Sequence, residues 1–333
     1  MFQIEQLYQK AGKENVLCEE PLSKHTTFRI GGNAKYFVTP DFIEDFVEIV
    51  SYVRQEKMPY FIMGNGSNLL AYDKGYDGVI LSTHKTGKKE NVEAEGKTLI
   101  DACYIMQPGD PLRESFAKQV KDTRFLEKTL VFAGSGIMLS VLASKVAKES
   151  LTGFEFAGGI PGTLGGAVTM NAGAYGGEIK DCILGAMVLL PDNTQKYLTR
   201  EELQLGYRSS RVQKEELLVL WALFAFDRGN VTEIENTMRE LNQRRREKQP
   251  LQYGSAGSTF KRPEGHFAGK LIEDAGLKGY RVGDVMVSDK HCGFVVNVGD
   301  GTYDEARQVI EHVQKTVQEK FGVWLETEVK LIQ

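Results

Sequence analysis

The chain has 333 residues, 41% hydrophobic and 26% charged, the balance of a globular protein of two or three domains. Its net charge of −4, from 41 basic and 45 acidic residues, carries no global basic footprint, so nucleic acid is not an expected partner. No window approaches the roughly 18 consecutive apolar residues of a membrane span, the start MFQIEQLYQKAG lacks the regions of a signal peptide, and Cys18, Cys103, Cys182 and Cys292 have neither CxxC spacing nor a histidine cluster; the expectation is a cytoplasmic protein with reduced thiols and no metal.

Residues 3–11 read as a short helix. The run LSKHTTFRIGGNAKYFVTP (22–40) gives a polar turn, a break at Gly31-Gly32 and a strand at Lys35–Val38. Asp41 is the expected N-cap of a helix over 42–56, where Phe42, Phe46, Ile49, Val50 and Val53 recur at helical spacing. A strand at Tyr60–Met63 leads into GNGSNLLAYD (64–73), and a further strand follows at Gly78–Leu81. The charged run THKTGKKENVEAEGK (83–97) reads as a hairpin, 112–121 as a helix and Val131–Gly136 as a strand. Leu139, Leu142, Ala143 and Val146 share one face of a helix over 139–149. Cys182–Leu190 and Gln195–Leu198 pair about Asp192-Asn193. Thr199 and Glu202 form a capping box for a short helix at 200–204, before GYRSSR (206–211) and a strand at Leu217–Phe226. Val231–Lys248 is a helix that Pro250 ends, Ala268–Ala275 a helix with Gly276 after it, and Phe294–Val298 a strand. A long helix, Tyr303–Phe321, precedes a last strand at Trp324–Ile332. The mixed order fits an α+β fold better than a regular βαβ array.

One stretch stands out. FEFAGGIPGTLGGAVTMNAGAYGGE (154–178) holds eight glycines in 25 residues. Glycine loses more backbone entropy on folding than any other residue, so the density needs a reason. Tight turns are the plain one; backbone brought close to a bulky ligand, as in a cofactor or phosphate cradle, is the other. Pro161, Val168 and Met170 argue against a flexible linker. GNGSNLL (64–70) is a second glycine-rich loop, but Leu69 stands where a G-x-G-x-x-G fingerprint needs glycine. Two such loops suggest one extended ligand. GYRSS supplies Arg208, GSTFKRP supplies Ser258, Lys261 and Arg262, and WLETEVKL supplies Glu326 and Glu328 on one face of a strand. A G-x-S-x-G elbow is absent, so a serine hydrolase is not expected. A serine, an arginine and a glutamate from three segments suit proton donation, anion clamping and acid partnership at an enolate.

Taken together, HTTFRIGG (25–32), GNGSNLL, the 154–178 stretch, GYRSS, GSTFKRPEGHFAGKLIEDAGLKG (257–279) and WLETEVKL (324–331) resemble the UDP-N-acetylenolpyruvoylglucosamine reductase family, in family order over nearly the whole chain. The short spacing from GYRSS to GSTFKRP resembles its type II branch. The resemblance implies a vanillyl-alcohol-oxidase-like (PCMH-type) FAD-binding fold: residues 1–82 as one FAD-binding subdomain, to which the strand 324–333 returns, 83–226 as a second, and 227–323 as an α+β substrate-binding domain. It implies noncovalent FAD held by Arg29, by Gly64, Asn65, Gly66, Ser67, Asn68 and Leu69, by Ile160, Pro161, Gly162, Thr163, Gly165 and Gly166, and by Ala172, Gly173 and Ala174. NADPH would be the reductant and a UDP-sugar enolpyruvyl ether the substrate of a monomeric enzyme of peptidoglycan precursor synthesis. Ser258 would donate the proton, with Arg208 and Glu328 stabilising the intermediate; Tyr175, Lys248, Arg262 and His291 would contact substrate.

Residues 100–130 match nothing in the family pattern and read as a surface insertion. Cys292 stands where a small residue such as alanine is expected, and reads as a buried, inert thiol. The alternatives are another FAD-dependent oxidoreductase of the same fold acting on a different alcohol or sugar, and a non-catalytic nucleotide-sugar-binding protein.

Overall fold

The computed structural model describes residues 2–84, 96–117 and 127–333. Its elements begin with α1 (Ile4–Ala11), β1 (Val16–Pro21), β2 (Asn33–Val38), α2 (Ile43–Gln55), β3 (Tyr60–Met63), β4 (Leu69–Ala71) and β5 (Tyr76–Ser82). They continue with β6 (Cys103–Met106), α3 (Pro111–Ala117), β7 (Thr129–Gly134), α4 (Leu139–Lys148), β8 (Leu151–Thr152), α5 (Leu164–Met170), β9 (Gly173–Ala174), β10 (Gly177–Glu178), β11 (Ile183–Leu189) and β12 (Gln195–Thr199). The remainder is α6 (Arg211–Lys214), β13 (Leu218–Arg228), α7 (Val231–Lys248), β14 (Gly254–Ser255), α8 (Ala268–Asp274), β15 (Arg281–Val282), β16 (Val285–Val287), β17 (Val295–Asn297), α9 (Tyr303–Phe321) and β18 (Lys330–Ile332).

The chain divides into two compact units. The first comprises Met1–Val16, Val38–Gly64 and Leu81–Gln243, the second Leu17–Phe37, Asn65–Ile80 and Arg244–Gln333.

In the first unit the sheet order is β12-β11-β13-β7-β6, with β8 paired to the end of β13. β13 reads LVLWALFAFDR, a nearly unbroken apolar run, because it is paired on both edges and covered on its faces. Helices α4 and α5 supply the cover. Leu139, Leu142, Ala143 and Val146 of α4 are buried at the three- and four-residue spacing that puts them on one stripe. Phe154 is the hub beneath them, fully buried, with its ring 5.4 Å from Phe156 and 5.7 Å from both Phe224 and Phe226.

In the second unit an antiparallel sheet runs β14-β17-β16-β15, and β18 lies parallel to β4 with Lys330 opposite Leu69 and Ile332 opposite Ala71. Helix α9 covers it with Ala306, Val309, Val313 and Val317. Its start is closed by a capping box, in which Thr302 accepts from Glu305 N and Glu305 accepts from Thr302 N; its end is Gly322 in the left-handed region.

Most predicted elements stand within a residue or two, and α7 and α9 match their predicted bounds. Five expectations change. Asp41 does not cap α2: Phe42 holds the N-cap position, while the Asp41 carboxylate accepts from Asn15 Nδ2 at 2.8 Å. Residues 200–204 form a turn although both capping-box bonds are made, because Gln204 adopts φ 47 and reverses the chain. The last strand is confined to Lys330–Ile332, so Glu326 and Glu328 precede it rather than sharing a strand face. Val16–Pro21 is a strand the pattern did not announce, since its outward positions dilute the alternation. Residues 100–130 are not simply a surface insertion. Cys103–Met106 pairs with β7 at the sheet edge, and Ile100, Ala102, Met106 and Arg113 are buried. Most of the predicted hairpin at 83–97, and the end of the helix predicted at 112–121, lie outside the described residues.

Truncating the hub tests this core. Phe154→Ala should cost about 3–5 kcal/mol of unfolding free energy, the range for a buried phenylalanine whose site relaxes only in part. Urea unfolding followed by circular dichroism would measure it, and a loss below about 1 kcal/mol would show that Phe154 is not the hub.

Candidate active site

The first unit carries the glycine-rich stretch and the GYRSS loop. Several of the glycines are required by the chain's own packing. A Cβ at Gly64 would overlap Thr163 Oγ1, one at Gly165 would sit 3.1 Å from Ser135 Cβ, one at Gly173 would sit 2.7 Å from Gly177 O, and one at Gly177 would meet the Phe156 ring at 2.5 Å. Two backbone amides of the loop are also spent internally: Leu164 N donates to Ile137 O and Gly165 N to Ser135 O, 2.9 and 2.8 Å. They do not serve as a phosphate cradle.

Gly166 is different. It lies within α5, exposed, and a Cβ there would meet nothing nearer than Thr163 Oγ1 at 4.0 Å. Glycine inside a helix is unfavourable by roughly 0.5–1 kcal/mol relative to alanine. No neighbour among the described residues demands it, and close approach of a ligand is a reason that would. Thr163 Oγ1 is buried with no hydrogen-bond partner among the described residues. An open glycine beside an unpartnered buried hydroxyl is what a cofactor cradle would present.

Beyond α5, Gly173–Ala174 and Gly177–Glu178 pair as a hairpin. Its two-residue turn, Tyr175-Gly176, has positive φ at both positions (54 and 91), the type I′ geometry that asparagine-glycine usually fills. Tyrosine in that position is strained, and its ring is exposed. Arg208 is strained likewise at φ 50, at the tip of a loop closed by reciprocal Gly206 and Ser209 backbone bonds. Its Nη2 donates to Gly173 O at 3.3 Å, and its guanidinium lies 5.2 Å from the Tyr207 ring centre. Glu178 is tied to Lys180 Nζ at 2.8 Å. The hydrogen bond from Lys180, then that from Asn171 and the charges of Lys180 and Arg208, hold its carboxyl below the ordinary range against partial burial.

The second unit carries the other predicted residues. In the 64–70 loop, Gly66 sits at φ 62 against His25 O, Thr27 N donates to Gly66 O at 3.2 Å, and Asn68 Nδ2 donates to Glu328 O at 3.0 Å. Ser67 and Leu69 are half-buried in the same loop, as is Asn65. Arg29, exposed, takes the left-handed conformation at φ 58. The segment around Ser258 is held from both sides. Thr259 N donates to Gly293 O at 2.9 Å, and Thr259 O accepts from Glu328 N at 2.8 Å. A bridge pairs Phe260 with Thr327. Ser258, exposed, and Glu328, half-buried, are thus brought to neighbouring registers of one ribbon. Glu326 is instead exposed and paired with Lys261 at 2.9 Å.

His291 lies on the same side of the unit, its ring against Gly269 and Gly293, with Nδ1 accepting from Gly293 N at 3.1 Å. Desolvation of that ring lowers its pKa below the ordinary value, so it is neutral at pH 7. Cys292 beside it is buried and its thiol is pushed up by burial, the inert cysteine expected. Arg262 stacks over Phe267 at 3.9 Å, and Lys248 is exposed at the end of α7. The predicted residues therefore fall into two groups. Arg208, Tyr175 and the 160–174 set belong to the first unit; Ser258, Glu328, Arg262, His291, Lys248, Arg29 and 65–69 belong to the second. Asn171 and Glu178, which tie the first group together, were missed as site residues. The only signal for them was a polar residue on either side of AGAYGG.

Comparison with known proteins bears on what these groups hold. A family model described as "UDP-N-acetylenolpyruvoylglucosamine reductase, C-terminal domain" matches residues 249–332, and one described as "FAD binding domain" matches 34–105 and 118–198. The chain is 50% identical over 329 residues to a protein named UDP-N-acetylenolpyruvoylglucosamine reductase from Lachnoclostridium phytofermentans, covering 99% of this chain and 96% of that one. It is 45% identical over 323 residues to the protein of that name from Caldanaerobacter subterraneus subsp. tengcongensis, covering 97% and 95%. The crystal structure of the reductase of that name from Thermus caldophilus superposes with a TM-score of 0.70 at 29% identity, covering 96% of this chain and 98% of that one. The FAD-binding fold with a C-terminal reductase domain implied by the sequence is thereby established.

Gly166 offers a direct test of the cradle. Gly166→Ala should raise the stability of the flavin-free protein by about 0.4–1 kcal/mol, since the backbone there is already helical. The same methyl group should weaken flavin retention, seen as loss of visible absorbance on gel filtration. Full retention would show that Gly166 faces no ligand.

Proposed function

The chain belongs to the UDP-N-acetylenolpyruvoylglucosamine reductase family, and from that premise we propose that it reduces the enolpyruvyl group of UDP-N-acetylglucosamine enolpyruvate to the lactyl ether of UDP-N-acetylmuramate, with NADPH as reductant, in the cytoplasm. Bound FAD, once reduced, supplies a hydride from N5 to C3 of the enolpyruvyl double bond. The protein's part is to bind two anionic ligands, orient them and deliver one proton.

In this reading residues 1–82 and 83–226 supply the two FAD-binding subdomains and 227–323 the substrate domain. Gly64, Asn65, Gly66, Ser67, Asn68 and Leu69, with Ile160, Pro161, Gly162, Thr163, Gly165, Gly166, Ala172, Gly173, Ala174 and Arg29, hold the cofactor. Gly166, open in its helix, and Thr163, whose buried hydroxyl has no partner among the described residues, support the reading most directly. Lys248 and Arg262 are cations of the kind a diphosphate or carboxylate needs, and Tyr175 and the neutral His291 complete the substrate contacts.

Hydride addition at C3 leaves the electron pair at C2, beside the substrate carboxylate. Arg208 offsets that developing charge, and a preorganised cation is the cheapest way to do so because it need not reorganise during the step. Ser258 Oγ–H protonates C2, and Glu328 is the acid partner that stabilises the same charge. The observation that carries this assignment is the ribbon in which Thr259 O accepts from Glu328 N, for it sets Ser258 and Glu328 in fixed mutual register. Glu328 stands on backbone that is already hydrogen-bonded, and Ser258 is next to Thr259, which is bonded on both sides; such support favours a preorganised site.

Ser258→Ala tests the proton-donor role. Reduction of the flavin by NADPH, followed as bleaching of its visible absorbance in stopped flow, should proceed at the normal rate. Reoxidation by the enolpyruvyl substrate should slow by about 10²–10⁴-fold, the worth of a positioned proton donor. Normal reoxidation would sink the assignment.

A further inference from the structure

Asn171 is the C-cap residue of α5 (Leu164–Met170) and is fully buried. It adopts the left-handed conformation, φ 43 and ψ 57, which asparagine and aspartate tolerate better than other side chains that carry a Cβ. Its amide meets three different segments. Nδ2 donates to Glu178 Oε2 at 2.7 Å and to Gly206 O at 3.0 Å, and Oδ1 accepts from Lys180 N at 3.0 Å. The orientation of the amide is unambiguous, since nitrogen faces two acceptors and oxygen faces a donor.

The Gly206 contact matters most. Residues Gly206–Ser209 form a closed turn, with Gly206 N donating to Ser209 O at 2.9 Å and Ser209 N returning to Gly206 O at 3.3 Å. Such a turn moves as one body. It is tethered to α5 at two points: Asn171 Nδ2 on Gly206 O, and Ser210 Oγ on Thr169 O at 2.7 Å. Arg208 projects from the tip of that body, at φ 50, and lies over Gly173 O. The Glu178 carboxylate shares the Nδ2 end of the Asn171 amide with Gly206 O.

We propose that Asn171 is a positioning residue of the reductase reaction: its buried amide sets the Gly206–Ser209 turn against the glycine-rich stretch and so fixes where Arg208 stands. This rests on the reading of Arg208 given above. A misplacement of about 1 Å at a catalytic group can cost on the order of 10²-fold in rate.

Asn171→Asp separates this role from mere helix termination. Aspartate keeps the left-handed backbone and an acceptor for Lys180 N, but it sets a carboxylate against Glu178 and against Gly206 O. The other charged groups around that pair are Lys180, Arg208, Asp181, whose carboxylate accepts from Glu178 N at 2.8 Å, and Arg200. Two carboxylates in contact cannot both ionise cheaply, so the pair takes up one proton as pH falls and regains a hydrogen bond between positions 171 and 178.

The experiment is stopped-flow measurement of both half-reactions from pH 5.5 to 8.5, together with flavin content and thermal midpoint. Asn171→Asp should leave flavin reduction by NADPH near the wild-type rate. It should slow reoxidation by substrate about 10²-fold, and the rate should stay low as pH falls, because the shared proton lies between positions 171 and 178 and Gly206 O still lacks the donor that Asn171 supplied. Asn171→Asp/Glu178→Gln, where the new amide donates to the aspartate, removes the repulsion at 171–178 but leaves Gly206 O without its donor, so it should stay slow in reoxidation; it serves equally if the single variant does not fold. Arg208→Lys is the control for the underlying reading. If Arg208→Lys is slow in reoxidation while the Asn171 variants are normal, are slowed equally in both half-reactions, or recover once the 171–178 repulsion is removed in the double variant, the positioning role through Gly206 is overturned and the Arg208 assignment stands. If Arg208→Lys reoxidises normally, the assignment itself falls, and the positioning role with it.

Discussion

Close backbone packing at the glycines of residues 154–178 is the constraint on which the first unit depends. Gly165 lies against Ser135, Gly173 against Gly177 and Glu178, and Gly177 against the Phe156 ring, at separations where any Cβ would force movement. Backbone cannot yield as the end of a long side chain can, so these contacts set α5, the 173–178 hairpin and strand β7 in one arrangement. Packing therefore accounts for Gly165, Gly173 and Gly177, and positive φ in the turn for Gly176. Gly166 has neither reason, and for that it is the more informative about the ligand.

On this base several side chains of the first unit are held by positive-φ backbone and by satisfied polar groups. Asn171, Tyr175 and Arg208 all have positive φ without being glycine. Such residues cost of order 1–3 kcal/mol each and persist only where the surroundings over-determine them. The surroundings here are identifiable: a type I′ turn for Tyr175, a doubly bonded loop for Arg208, and a three-way amide for Asn171. Glu178 belongs to the same network, and its lowered pKa means that it is ionised at neutral pH and gives charge balance beside the arginine. That contribution is present above the ordinary carboxylate range and is lost as pH falls through the depressed folded value.

The second unit achieves order differently. There the ladder of Thr259 between Gly293 and Glu328, and the parallel pairing of β18 with β4, fix the 258–262 and 326–332 segments with main-chain hydrogen bonds. The side chains that matter stand on that ladder rather than on strained loops. Ser258 needs no helix dipole or buried base to be placed. It needs its neighbours paired, and they are.

The amino-acid sequence by itself determined the family, the order of elements and the ends of α7 and α9, because apolar period, Pro250 and Gly322 are local signals that tertiary context did not override. It also marked Ser258, Arg208 and Glu328, each inside a distinctive motif. It misjudged 200–204, where a capping box is outvoted by Gln204 turning left-handed, and residues 100–130, where a short strand of mixed composition earns its place only by pairing with β7. Only the tertiary structure decided what the glycines are for, because whether a Cβ would clash depends on atoms far away in the chain. For the same reason only it revealed Asn171: the buried asparagine draws its partners from Glu178, Lys180 and Gly206, and such convergence has no local period by which a sequence could announce it.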